Sequence, residues 1–246
     1  MNSISPILNI MIKASEKASK ILIRDFGEVE KLQVSKKGPN DFVTNADRKA
    51  EEIIINELEK SKKNFSFLTE ESGFIENNDK DNFWIIDPID GTTNFLNGLP
   101  HFCISIALLN NDEIIAGVIF DPIKDEIFYA EQNGGAYLNN KSIRVSKKSK
   151  LSECLYGVNF RENLPENFII RNTGSAALDL AYLSSGRFDG CLHKNVNLWD
   201  IAAGTVLIKE AGGIVDNFEK KKFNKISIKS SNERINNDLN KKINIF

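Results

Sequence analysis

The stretch Trp84-Ile85-Ile86-Asp87-Pro88-Ile89-Asp90-Gly91-Thr92-Thr93-Asn94-Phe95 decides how this chain is read. Phe83 to Ile86 is an apolar run of strand character that delivers two carboxylates, Asp87 and Asp90, at its C-terminal end. Pro88 stiffens the turn between them, and no Lys or Arg follows until Lys124, so these charges need another neutralising partner. A hard divalent cation such as Mg²⁺ meets that need, because it prefers carboxylate and carbonyl oxygens and keeps room for water and phosphate. Gly91 allows close backbone approach to a ligand, and Thr92-Thr93-Asn94 reads as a capped helix start whose free N–H groups can hold a phosphate. The same residues also suit a plain acidic turn in which Asp87 and Asp90 cap and Thr92 opens a helix, so the segment alone leaves both readings open.

Working outward, Phe65 to Leu68 is a second short apolar strand, and it runs into Thr69-Glu70-Glu71-Ser72. Strand ends of a parallel or mixed sheet gather on one edge, which makes Glu70 a further metal-ligand candidate. Downstream, Phe102 to Leu109, Ile114 to Phe120 and Ile127 to Ala130 are spaced by turn residues and predict an antiparallel meander. Two amphipathic helices come first: one opens at Ser5-Pro6 and ends at Gly27, the other starts near Asp47 and carries Ala50, Ile53, Ile54 and Leu58. The second half predicts short strands at Cys154 to Val158, Phe168 to Ile170 and Phe188 to Leu192. It also predicts helices from Ser175 to Ser185, from Asp200 to Ala211 and within Ser231 to Ile243. Asp47 and Asp200 both stand where either a helix N-cap or a ligand would sit. The pattern divides into an N-terminal α+β lobe, residues 1–145, with most metal ligands, and a C-terminal α/β lobe, residues 146–246, with Asp200 and the substrate-recognition segments.

The 246 residues are 41% hydrophobic and 27% charged, enough for one large module or two lobes around a cleft. Thirty-two basic residues nearly balance thirty-four acidic ones, and a net charge of −2 gives no global attraction to nucleic acid or a membrane surface. The apolar runs are far shorter than the roughly 20 residues a spanning helix requires. The N-terminus lacks the uninterrupted apolar core of a signal peptide, so a cytoplasmic protein is expected. Cys103, Cys154 and Cys191 are too scattered for a disulfide framework or a zinc site and read as reduced, buried thiols. Cys154 stands too far from Arg161 for a cysteine phosphatase loop, Asp87 and Asp90 are spaced wrongly for a phosphoaspartate enzyme, and no Gly-Lys-Ser/Thr P-loop occurs.

In chain order, Asp41-Phe42-Val43-Thr44-Asn45-Ala46-Asp47, Glu70-Glu71-Ser72-Gly73, Trp84 to Phe95, and Trp199-Asp200-Ile201-Ala202-Ala203-Gly204 with Glu210-Ala211-Gly212-Gly213 resemble the motifs of the inositol monophosphatase family. These are Mg²⁺-dependent, lithium-sensitive phosphatases. The resemblance implies a layered α-β-α-β-α sandwich of the sugar-phosphatase type. It implies one ion held by Glu70, Asp87 and the Ile89 carbonyl, a second held by Asp87, Asp90 and Asp200, and a third, weaker one near Glu70. Thr92, hydrogen-bonded to Asp47, would help activate the attacking water, with Glu70 beside them, and the N–H groups of Gly91 and Thr92 would hold phosphate oxygens. Gly174-Ser175-Ala176 matches the family's substrate turn, and Lys36 a basic position near the metals. His193 stands where the family carries an acidic residue for substrate hydroxyls. The implied substrate is a small phosphorylated polyol or sugar, foremost inositol 1-phosphate, and the implied assembly is a homodimer. Histidinol phosphate, 3′-phosphoadenosine 5′-phosphate and fructose 1,6-bisphosphate are alternative substrates in the same fold. A further alternative, which the charge does not support, is a regulatory protein that contacts RNA polymerase or nucleic acid in transcription and ribosomal RNA processing.

Overall fold

The computed structural model describes residues 4–32, 39–216 and 225–243; Lys36 and the side chains of residues 29–44 lie outside the described residues. Helices α1 (Pro6–Leu32) and α2 (Pro39–Glu59) lead into β1 (Phe65–Thr69), β2 (Gly73–Ile75) and β3 (Asp79–Asp90). A short helix α3 (Thr92–Leu96) separates these from β4 (Cys103–Asn110), β5 (Glu113–Asp121), β6 (Glu126–Glu131), β7 (Gly135–Leu138) and β8 (Lys141–Ser142). The second half runs β9 (Leu155–Val158), β10 (Ile169–Arg171), α4 (Ala176–Ser184), β11 (Gly190–Val196), α5 (Leu198–Glu210), β12 (Gly213–Asp216), β13 (Ile226–Asn232) and α6 (Glu233–Lys242).

Strands β1 to β8 form one sheet in the order β2-β1-β3-β4-β5-β6-β7-β8, and the other five form a second in the order β10-β9-β11-β13-β12. The first sheet is antiparallel apart from the β1–β3 pair. Side chains alternate across each strand, which builds the layers. Trp84, Ile86, Ile104 and Ile106 face α1 and α2, where Met11, Ala18, Ala50 and Ile54 cover them. Phe83, Ile85, Cys103 and Ala107 point the other way, into a core shared with α4, α5 and with Cys191 and Ile228 of the second sheet. The outer face of that sheet, with Tyr156 and Leu192, packs on Ile235 and Leu239 of α6. The layers are therefore α-β-α-β-α.

The middle helices come close to their neighbours because small residues line them. A Cβ on Gly204 of α5 would lie 2.4 Å from Leu180 Cβ of α4, nearer than two such atoms can approach. That contact explains the glycine at position 204.

The structure corrects several boundaries. Helix α1 continues past Gly27 to Leu32, because a single glycine within a helix weakens it without ending it. Helix α2 begins at Pro39, a good first helical residue, rather than near Asp47, so Asp47 lies mid-helix and is not an N-cap. Helix α5 begins at Leu198 with Asn197 as N-cap, so Asp200 is the third helical residue rather than the cap. Strand β11 starts later than expected and continues to Val196, which makes His193 a strand residue paired with Ile228 of β13.

Candidate active site

The parallel pairing of β1 with β3 sets Thr69 beside Ile86, and the ladder continues with the Glu70 N–H donating to the Ile86 carbonyl at 3.2 Å. The next residue on each strand is a carboxylate, so Glu70 and Asp87 meet side chain to side chain. Residues three apart on a regular strand face opposite sides. Asp87 opposes Ser105 and Asp90 opposes Cys103, three steps along β3 against two along β4, so a β-bulge adds one residue at Pro88-Ile89. The bulge reverses the alternation: Ile89 joins the α1/α2 layer with Ile86, and Asp90 turns to the same face as Asp87, toward α4 and α5. Proline suits the bulge because it has no N–H to contribute to the ladder. The Ile89 N–H donates back to Asp87 Oδ1 at 3.0 Å.

Each carboxylate is held from a different element. Asp90 Oδ2 accepts from the Ser175 hydroxyl and from the Ala177 N–H at 2.7 Å, at the start of α4. Ser175 also caps that helix, accepting from the Leu178 N–H. Asp200 Oδ2 accepts from the Asn197 N–H at 2.8 Å, which orients it on the first turn of α5. Asp47 projects from α2, 4% exposed. Gly91 sits at φ 101°, and a Cβ there would lie 3.0 Å from the His101 carbonyl, so glycine is required at the entry to α3. The Thr92 hydroxyl donates to the Ile89 carbonyl at 3.0 Å, rather than to Asp47 as the resemblance had it.

These groups repel one another. Burial, then Glu71, Glu70 and Glu51, push Asp47 up to about 8. Burial and then Asp200 push Asp90 up to about 8, against the pull of Ser175 and Ala177. Asp87 is raised well above the usual range by burial and then Glu70, and Asp200 is raised mainly by burial. Glu70 is raised by burial, with its hydrogen bond to Asp87 opposing. Among the described residues no Lys or Arg forms an ion pair with Glu70, Asp87, Asp90 or Asp200. An all-oxygen, crowded set of this kind, relieved at Asp200 in part by Lys225 and His193, fits a hard divalent cation. Among the described residues no three His, Cys, Asp or Glu side chains are already closed into a metal-binding group.

Beside Asp90 and Asp200 opens a cleft of about 210 Å³ that is also lined by Gly174, Ser175, Ala176 and His193. The second half of the chain thus brings Gly174, Ser175, Ala176 and its own Asp200 beside Asp90, which the first half delivers. His101, expected as a packing residue, lies edge-on to Tyr182 with ring centroids 5.9 Å apart. The three cysteines are free and buried, as expected.

Sequence reasoning missed three residues that hold this arrangement. Glu51 accepts from the Glu71 and Ser72 N–H groups at 3.0 and 3.1 Å and from the Ser72 hydroxyl, fixing the turn after Glu70. Its place one helical turn from Asp47 was the available signal. Asn94 donates from Nδ2 to the His101 and Thr173 carbonyls at 2.8 and 2.9 Å, tying α3 to the segment that leads into α4. Asp179 is 1% exposed and accepts from the Thr173 hydroxyl at 2.7 Å. A lone acid inside Ala177-Leu178-Asp179-Leu180-Ala181 could have marked it.

The inositol monophosphatase family model matches residues 3–244 of the chain. An inositol-1-monophosphatase of Mesorhizobium japonicum is 46% identical over 230 residues, covering 87% of this chain and 86% of that protein. The Nus factor SuhB of Escherichia coli is 40% identical over 228 residues, covering 87% and 85%. The crystal structure of the extragenic suppressor protein suhB from Bartonella henselae superposes with a TM-score of 0.86 at 42% identity, covering 96% of this chain and 98% of that one. With the family model matching nearly its whole length and relatives above 40% identity, the chain belongs to the inositol monophosphatase family.

Proposed function

We propose that this chain hydrolyses a small phosphate monoester, foremost inositol 1-phosphate to inositol and phosphate, with Mg²⁺ held by Glu70, Asp87, the Ile89 carbonyl, Asp90 and Asp200. The observation that carries this reading is the meeting of four mutually repelling carboxylates, with Asp87 and Asp90 buried, Asp200 half-buried and Glu70 at the exposed rim, from two strand ends and one helix, beside a small polar cleft. When bound, Mg²⁺ polarises the phosphoryl oxygens, lowers the pKa of a bound water and offsets charge on the leaving alkoxide. Asp87 lies between Glu70 and Asp90 and is the group both ions would share. The N–H groups of Gly91 and Thr92 orient the phosphate, while Thr92, Asp47 and Glu70 hold and take the proton of the attacking water. Ser175 keeps Asp90 turned toward the cleft. No side chain attacks phosphorus, so no covalent phosphoenzyme forms.

The test is phosphate release from myo-inositol 1-phosphate, histidinol phosphate, 3′-phosphoadenosine 5′-phosphate and fructose 1,6-bisphosphate, with and without Mg²⁺. Magnesium-dependent, lithium-inhibited release from the inositol ester supports the reading, and silence on all four esters sinks it. A homodimer is the proposed assembly and the cytoplasm the proposed compartment; light scattering after gel filtration tests the former.

A second reading has one specific support: some relatives are named Nus factor SuhB. On that reading the fold binds components of transcription or ribosomal RNA processing. Direct binding of the purified chain to RNA polymerase, unaffected by Asp90→Asn, would establish it independently of hydrolysis.

A further inference from the structure

Two contacts between the halves of the chain lie on either side of Gly91 and Thr92, and together they close a ring. On one side, Asp90 Oδ2 accepts from the Ser175 hydroxyl and from the Ala177 N–H at 2.7 Å. On the other, Asn94 Nδ2 donates to the Thr173 carbonyl at 2.9 Å. The ring runs from Asp90 through α3 to Asn94, crosses to Thr173, and returns from Ser175 to Asp90. It encloses the two N–H groups that hold phosphate in the reading above, and the Gly174 turn that faces them across the cleft.

Asn94 is 8% exposed, and its second amide proton goes to the His101 carbonyl at 2.8 Å. Only the nitrogen end of an amide can face two carbonyls, because an oxygen in its place would be set against both. Gly174 stands at φ 86°, and a Cβ on it would lie 2.9 Å from Asn94 Nδ2, so glycine is what lets the turn come down onto the amide. The start of α3 has its own anchor in the first half. Phe95 is fully buried against Phe102, and its N–H donates to the Gly91 carbonyl at 3.0 Å. Without Asn94 the phosphate-holding N–H groups therefore keep their shape, and what is lost is their fixed distance from the second half.

We propose that Asn94 is a positioning residue: its amide sets the spacing between the N–H groups of Gly91 and Thr92 and the Gly174 turn, and so aligns the phosphate and the alcohol part of one substrate. A substrate that reaches both halves depends on this tie. A bare phosphate, held by the first half and the metal, does not. The inference rests on the hydrolase reading above.

The experiment compares wild type with Asn94→Leu, which removes both donors at similar volume, and with Gly174→Ala, which keeps Asn94 but pushes its amide away with a methyl group. Rates at saturating Mg²⁺ are measured for myo-inositol 1-phosphate and for p-nitrophenyl phosphate, whose good leaving group needs little help from an aligned alcohol. Inorganic phosphate serves as a competitive inhibitor. Each variant should lower kcat/KM for the inositol ester about ten- to a hundredfold, since a displacement of about 1 Å is enough for such a loss. Turnover of the aryl ester and the inhibition constant of phosphate should change by less than about threefold. The double variant should lose little more on the inositol ester than either single one, because both break the same tie. A merely structural role would lower both esters together, in step with the folded fraction seen by circular dichroism. Equal losses on the two esters, no loss on the inositol ester, or additive losses in the double variant overturn the proposal. If Asn94→Leu does not fold, Gly174→Ala decides by the same split between esters. Release from neither ester by wild type overturns the hydrolase reading itself.

Discussion

Replacing Asp47 by Asn removes one negative charge from the inner face of α2, where Glu51, Glu70 and Glu71 already crowd it. The fold raises this carboxyl from 3.8 to about 8, chiefly by burial. Below pH 3.8 the group is protonated in both folded and unfolded chains and contributes nothing to stability. Between that pH and about 8 the folded chain holds a proton that the unfolded chain releases, so stability falls as pH rises through this window and levels off above it. At about 1.4 kcal/mol per pH unit, the three units up to pH 7 correspond to about 4 kcal/mol, and relaxation of the cluster brings the expected effect to roughly 2–4 kcal/mol. Asp47→Asn escapes this loss. In EDTA at pH 7 its Tm should exceed wild type by about 5–10 °C, and at pH 4.5 the two should nearly coincide. Saturating Mg²⁺ should narrow the gap by compensating the neighbouring acids, while magnesium-dependent hydrolysis falls sharply. The assay is a set of melting curves for both proteins across pH with EDTA or Mg²⁺. Equal Tm values in EDTA at pH 7, or a gain independent of pH, would refute the reasoning.

Three further perturbations probe the scaffold. Gly204→Ala improves helix propensity by about 1 kcal/mol but drives a methyl into Leu180 Cβ at 2.4 Å, so the net should be a loss of about 1–3 kcal/mol by denaturant unfolding. Ser175→Ala removes both the α4 cap and a donor to Asp90; it should cost about 1–2 kcal/mol and weaken the stabilisation by Mg²⁺, measured as the Tm increment against metal concentration. Glu51→Gln keeps the shape but weakens the acceptor of the Glu71 and Ser72 N–H groups, so amide exchange in that turn should quicken and the Mg²⁺ requirement for half-maximal hydrolysis should rise.

Much of this molecule was legible along the chain. The apolar alternation of Phe102 to Phe120 read as an antiparallel pair because strand period and turn residues are local properties, and β4 and β5 form there. The segment order placed every acid of the site on a named strand end or helix. Boundaries that depend on partners were misjudged. The sequence preceding Asp47 lacks apolar periodicity, yet α2 already runs through it, and β11 reaches Val196 because β13 pairs with it.

The sequence by itself determined which acids there are and which strands and helices carry them, since these follow from side-chain chemistry and short-range pattern. Only the tertiary structure decided that they meet. The parallel register that sets Glu70 against Asp87, the bulge that turns Asp90 to the same face, and the approach of Asp179 to His193 all join residues distant along the chain. Such contacts are selected by the packing of sheets on helices, and no local preference of the chain encodes them.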